Sequence, residues 1–410
     1  MIKIKKCSSC NSKNVNLLLN LGSTALANSY LENIEEFKKE KKFSLKLYMC
    51  KKCKLIQVFH NVKPSEFFIN YDYLSGVSTT WKKHCKDYSK KIIKKFQLKK
   101  GNGSIIEIAS NDGVLIENFQ KRKFDTIGIE PSKIAHKIAQ KKGLNSINKF
   151  FDKNILKIFK QKKIQLIIAN NVIAHVKNIN EFVKTMSEIS DDRTIITIEF
   201  PYVYNLKDKM QYDTIYHEHH YYYSLHSISY LMNSHNLEIF DVEKLKVHGG
   251  SYRIYLKKIS SKRKITNRCK KYFDFEKNIR INSLNFYKNF QKLVDKTKKN
   301  TKKFLNDLKK KGKVVHAYGA AAKGNTFLNF CNISEKNIKY IYDLNESKVN
   351  KYLPQSHIKI ISVKKINALK PDYILILAWN IFDEISKQLS FTKKWGCKLV
   401  RLLPKIEIKS

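Results

Sequence analysis

Four cysteines arranged as two C-x-x-C pairs constrain this chain more than any other feature. Cys7 and Cys10 stand in CSSC and Cys50 and Cys53 in CKKC, with 39 residues between the pairs. Two-residue spacing turns both thiolates of a pair towards one tetrahedral ion, and two pairs complete a four-sulfur shell. Such a shell is closed, so the zinc it implies is structural rather than catalytic. A redox dithiol needs only one pair beside a βαβ unit, and the second pair argues against it. Residues 1 to about 60 therefore read as a zinc ribbon, with strands in KNVNLLLNLG and SLKLYMCKKC. Cys85, Cys269, Cys331 and Cys397 are isolated and read as core fillers.

A ribbon of that size leaves most of the 410 residues to other domains, and 42% hydrophobic residues are enough to give those domains cores. No apolar run reaches the roughly 18 residues of a membrane span, and MIKIKKCSSC lacks the apolar core of a signal peptide, so a soluble cytoplasmic protein is expected. The formal charge of +45 raises a nucleic-acid reading. Against it, 73 of the 80 basic residues are lysine, spread along the whole chain, and only seven are arginine. Arginine is the residue that reads phosphate and base edges with paired hydrogen bonds. Solvated lysine-rich helix faces explain the charge better, and no nucleic-acid partner is expected.

From Gly103 onward the pattern becomes alternating. SIIEIAS, TIGIEPS, IQLIIANNV and TIITIEFPY are short apolar runs, and VLIENFQK, KIAHKIAQKKG and NEFVKTMSEI between them have helical spacing. Strands alternating with helices of this length indicate a parallel sheet covered on both faces, whose ligands bind outside the carboxyl ends of the strands. Those ends carry Glu107, Ala109, Asn111, Asp112 and Gly113 in the first turn, Glu130 and Pro131 at the second, and Asn170, Asn171 and His175 at the third. Glu130 suits a ribose diol, and the turn lacks the G-x-G-x-x-G that cradles a pyrophosphate. An acidic turn without a phosphate cradle fits S-adenosylmethionine, which carries a ribose, an ammonium and a sulfonium, better than NAD. A second βαβ unit follows at KVVHAYGAAAKGNTFLNF, IKYIYDLN and PDYILILAW. Its small-residue turn reads as a phosphate cradle, with Lys323 and Asn325 beside a helix start placed at Thr326. Between the two units, residues 262–311 read as core-facing helix with a basic, solvated back.

The stretch YDTIYHEHHYYY packs three histidines and a glutamate into four residues. It lacks the i, i+4 histidine pairing of H-E-x-x-H, so acid/base chemistry is favoured over metal binding. His217, His226 and His235 keep the ordinary structural role. His248, beside Gly249 and Gly250 at a strand edge, is placed either in packing or against substrate. Tyr71 and Tyr73, on the loop after the ribbon, are placed either in packing against the next domain or at the cleft.

EIASNDG, GIEPS, ANNVIAHV, YDTIYHEHHYYYS, HGGSYR and YGAAAKGNT, preceded by the double C-x-x-C, resemble in order the sugar C-methyltransferases that act on nucleotide-linked 4-ketosugars. The resemblance implies an α/β architecture of three parts. These are an N-terminal zinc-binding domain (1–70), a central Rossmann-like class I S-adenosylmethionine-dependent methyltransferase domain (71–260), and a C-terminal Rossmann-like α/β domain (261–410) that helps hold the nucleotide sugar. It also implies a role in deoxysugar or surface-polysaccharide biosynthesis. Carried over by position, it implies that Tyr216, Glu218 and His219 reach the sugar with a tyrosine of the N-terminal loop, mapped to Tyr73, and that His219 is the base. Tyr71, His248, Lys323, Asn325 and Thr326 then fall on the substrate side. The family usually has another residue where this chain has His220. Carbon methylation next to a ketone needs a base for the acidic hydrogen and a donor for the enolate oxygen, and histidine and tyrosine supply these.

Overall fold

The computed structural model describes residues 5–62 and 74–409; Tyr71 and Tyr73 lie outside them, as does the side chain of His248. The first knuckle precedes β1 (Val15–Thr24), which pairs antiparallel with β2 (Phe43–Cys50), and the second knuckle turns β2 into antiparallel β3 (Ile56–Val58). Along β2, Leu45 and Leu47 are buried while Ser44 and Lys46 are not, the alternation of a strand with one face on a core, and from Leu47 to Cys50 every residue is buried.

A helix, α1 (Thr79–Phe96), leads into the central sheet. There follow β4 (Ser104–Ile108), α2 (Val114–Gln120), β5 (Thr126–Ile129), α3 (Lys133–Lys141), β6 (Ser146–Ile147), β7 (Ile164–Asn170), α4 (Ile179–Glu188) and β8 (Ile195–Pro201). After β9 (Tyr221–Tyr222) and α5 (Leu225–Asn233), a hairpin of β10 (Leu237–Leu245) and β11 (Ser251–Lys258) completes the sheet. The spatial order is β10-β11-β8-β7-β4-β5-β6, and β11 runs antiparallel to both neighbours. Every residue of β4 is buried, as expected of a parallel strand covered on both sides. The hairpin sets this sheet apart from the all-parallel dinucleotide-binding sheet and was not legible as such in the sequence.

The basic stretch before the last domain forms two helices, α6 (Asn267–Asn278) and α7 (Phe290–Lys310), interrupted where Arg280 takes φ +54°. On α7, Phe290, Val294, Leu305 and Leu308 are buried. The last domain adds β12 (Val315–Tyr318), α8 (Ala322–Cys331), β13 (Tyr340–Asp343), β14 (Lys359–Ser362), β15 (Tyr373–Ile376), β16 (Lys398–Arg401) and β17 (Glu407–Lys409). Its order is β14-β13-β12-β15-β16-β17, parallel except for the last strand. The helix expected to start at Thr326 begins four residues earlier, so Thr326 is buried in its second turn and does not offer a free helix-start amide. Among the described residues no helix is long and apolar enough to cross a membrane.

The three sheets are stitched together around one loop. β9 is the fourth strand of the N-terminal sheet, with Tyr222 opposite Ile56, and the Val58 amide donates to the His220 carbonyl. Leu31 bridges to Tyr352 of the last domain. Residues 211–220 are therefore enclosed by all three parts of the chain.

Candidate active site

The four knuckle sulfurs lie within 4.8 Å of one another, with Cys7 and Cys53 3.4 Å apart and Cys10 and Cys50 3.5 Å apart. A tetrahedral zinc with bonds of about 2.3 Å separates its sulfurs by about 3.8 Å, so the donor set fits this ion. Three of the four are fully buried, which leaves no open position for substrate.

At the tips of β4 and β5 the chain turns tightly, with Ala109, Asn111 and Gly113 at φ +56°, +50° and +78°. Gly113 is required by packing: a Cβ there would come within 2.2 Å of Leu144. Glu130 accepts from the amides of Asn111 and Ser132, both at 2.7 Å, closing the turn while leaving lone pairs on its oxygens. Glu107, Asp112, Glu130 and Glu199 are all buried within this region, and burial pushes the carboxyls of Glu107 and Glu130 above their usual range. Both Asn170 side-chain atoms, Asn171 Oδ1 and Ser110 Oγ are buried without a partner. Buried carboxyls beside unmatched donors and acceptors fit a polar ligand such as S-adenosylmethionine. Asn111 and Asp112 also hold the segment before α1: Ser75 donates its amide to Asn111 Oδ1 at 2.9 Å and its hydroxyl to Asp112 Oδ1 at 2.8 Å. Glu199 is tied to His84 of α1 at 2.9 Å and to Arg253 of β11 at 2.8 Å, a buried network that seats α1 on the sheet.

Beyond these tips lies the histidine loop. His219 Nδ1 is 2.8 Å from the Thr214 carbonyl, which can only accept, so Nδ1 carries the proton and Nε2 holds the lone pair. Tyr216 donates its hydroxyl to that lone pair at 2.8 Å. Burial, with His175 adding to it, holds His219 well below the ordinary imidazole range, so it is neutral at physiological pH. The His175 ring meets the His219 ring edge-on at 4.7 Å, which places it beside the histidine loop. Glu218 is 3% exposed; burial pushes its carboxyl up to about 7, against a hydrogen bond from Asn28 at 2.8 Å. His220 shares a 3.1 Å contact with His60 and its amide donates to the Ala174 carbonyl, a structural role.

The last domain meets this loop through the first turns of α8 and through Trp379. Asn325 is held by the Ala27 carbonyl at 3.1 Å, and Tyr30 donates to the Ala320 carbonyl at 2.7 Å. Gly324 allows α8 to approach Leu377, where a Cβ would sit 2.8 Å away. Gly249 and Gly250, next to His248, admit the amides of Gln211 and Asn205, each within 2.7 Å of where a Cβ would stand. Trp379 donates its indole N–H to Asp213 Oδ2 at 2.6 Å, while Asp213 Oδ1 is buried with no side-chain partner among the described residues. Asp213 lies inside the histidine stretch and Asn28 inside TALANSY with no motif to mark them, and Trp379, 166 residues from its partner, gives no signal in the sequence.

A seven-stranded sheet ending in an antiparallel hairpin, an acidic cleft at its tips and a histidine loop beyond them define a methyltransferase. Three family descriptions match the chain in order: a zinc binding domain over 7–68, a methyltransferase domain over 81–242, and a C-methyltransferase C-terminal domain over 246–404. The C-methyltransferase NovU of Streptomyces niveus is 26% identical over 384 residues, covering 93% of this chain and 91% of NovU. A methyltransferase from Clostridium acetobutylicum aligns over 43% of this chain and 91% of its own at 14% identity and TM-score 0.34, and one from Archaeoglobus fulgidus over 43% and 94% at 14% and 0.35. The chain thus carries, in order, a zinc-binding domain, an S-adenosylmethionine-dependent methyltransferase domain and the C-terminal domain of C-methyltransferases.

Proposed function

We propose that the protein methylates C3 of a nucleotide-linked 4-ketosugar, with His219 as the base that takes the proton from that carbon. One observation carries the assignment: His219 is anchored by Nδ1 to the Thr214 carbonyl, which leaves its Nε2 lone pair to the Tyr216 hydroxyl on a buried loop enclosed by all three domains. The ordered motifs of the sequence support the ketosugar as substrate. As the base removes the proton, the C–H electrons form the C3–C4 double bond and the carbonyl pair moves onto O4. S-adenosylmethionine, when bound, supplies an electrophilic methyl to that nucleophilic carbon and leaves as a neutral thioether. Tyr216 must release Nε2 for the proton to arrive, and its hydroxyl is then free to donate to the developing oxyanion. Glu130, Asn170 and Asn171 are the groups that would hold the ribose and amino-acid ends of the cofactor; Tyr73, which the resemblance assigns to the substrate side, lies outside the described residues.

A second assignment of the base has its own observation. Glu218, pushed up to about 7, titrates where a base works best, and one of its oxygens is committed to Asn28. Solvent deuterium exchange at C3, measured with a dTDP-linked 4-ketosugar and S-adenosylhomocysteine, separates the two. Loss of exchange in His219→Gln with exchange kept in Glu218→Gln supports His219; the reverse pattern moves the role to Glu218.

A further inference from the structure

Two charged side chains from different domains converge on the loop that carries His219, and the chemistry above leaves them without a use. Lys323 projects from the first turn of α8, with its ammonium 5.9 Å from the centre of the Trp379 ring. Trp379 holds Asp213 by one oxygen, and the other is buried with no side-chain partner among the described residues. Asp213 is followed directly by Thr214, whose carbonyl anchors His219. Among the described residues the Lys323 ammonium has neither an ion pair nor a hydrogen bond; its surroundings pull it below the ordinary lysine range by burial, with Asp213 opposing. Its charge is also felt at the His219 imidazole.

We propose that Lys323 is the catalytic cation that stabilises the enolate oxygen, and that Asp213, fixed by the Trp379 indole that this ammonium faces, is its positioning residue. The assignment rests on the ketosugar reading. It follows from a mismatch in that reading, because a desolvated imidazole is a weak base and the driving force must come from acidifying the carbon. A fixed cation at the oxygen where the carbonyl pair arrives does so without itself gaining or losing a proton. A pyrophosphate is the other anion a lysine could hold, but its two charges would lie beside the Asp213 carboxylate, whereas an oxyanion formed for an instant carries one. The second Asp213 oxygen is then an acceptor for the ammonium or for a sugar hydroxyl.

The test uses the full-length zinc-loaded enzyme with a dTDP-linked 4-ketosugar, following C3 deuterium exchange and methyl transfer separately. Lys323→Met should lower both rates by roughly 10²-fold or more, the usual cost of one lost oxyanion donor, with KM changed by no more than about threefold. Asp213→Asn should lower them by a smaller factor. The double variant should be no slower than Lys323→Met alone, because Asp213 acts through Lys323; it also removes the buried carboxylate that could destabilise the single variant. S-adenosylhomocysteine affinity and melting temperature, unchanged, show that each variant is folded. A raised KM with kcat intact makes Lys323 a ground-state anchor for phosphate and overturns the proposal, as do multiplying losses in the double variant. Exchange in the wild type that persists undiminished in Lys323→Met overturns it alone; no exchange in the wild type with any ketosugar overturns the ketosugar reading and this proposal together.

Discussion

At the scale of single residues, the histidine loop is a set of buried titratable groups, and their shifts have opposite consequences. His219 and His175, held far below the ordinary range by burial, stay neutral through the physiological range and give no kinetic limb there. Glu218, raised to about 7, does. If kcat/KM requires the Glu218 carboxylate, the rate rises with pH through about 7, and Glu218→Gln removes that acid limb while leaving the profile flat between pH 6 and 8. A limb that survives in Glu218→Gln assigns it elsewhere. The same shift has a cost in stability, since an acid with a raised folded pKa favours the native state while protonated. That contribution is whole below the unfolded value and is lost as pH rises through about 7. Glu218→Gln should therefore flatten the decline in melting temperature between pH 5 and 8. His219→Gln keeps the size of the side chain and should cut kcat by roughly 10² to 10⁴, the range of a lost general base. The grouping of histidines and tyrosines is legible because those residues stand together in one stretch; the partners of Asp213 and Asn28 are not, because Trp379 and Glu218 lie far away in the sequence.

At the scale of elements, the sheet that places the cofactor was readable from alternating apolar runs, and the zinc knuckles from their spacing. What the pattern could not reveal is that β9, in the middle of the chain, completes the N-terminal sheet, since a strand of two tyrosines has no periodicity of its own. Nor could it place the turn of Asn111 and Asp112, whose side chains hold Ser75 and Gly76. This pairing makes the zinc domain a support for the active loop: Val58 and Ile56 of β3 hold His220 and Tyr222. Removing zinc with a chelator, or replacing Cys50 and Cys53 by serine, should lower kcat and melting temperature together while S-adenosylhomocysteine affinity changes little, because the cofactor turn lies on a different sheet. An equal loss of cofactor affinity would mean that the ribbon props up the whole protein rather than the loop.

For the whole molecule, three sheets close around one loop, and the contacts that close them reach the candidate site. Asn28 of the N-terminal domain donates to Glu218 at 2.8 Å and thereby lowers a carboxyl that burial alone would raise further. Asn28→Ala should move the acid limb of kcat/KM to higher pH, and an unmoved limb would detach Glu218 from the kinetics. The domain order was legible from motifs strung along the chain, but the convergence of Asn28, Asp213, His219 and Lys323 is a property of folding alone. The central claim is that this convergence serves carbon methylation of a nucleotide-linked ketosugar. Its most direct measurement is incubation with labelled S-adenosylmethionine and a panel of dTDP-, GDP- and CDP-linked 4-ketosugars, with the product carbon located by NMR. The expected result is one methyl on C3 of at least one sugar; label on oxygen, or on RNA with every sugar unmodified, would contradict it.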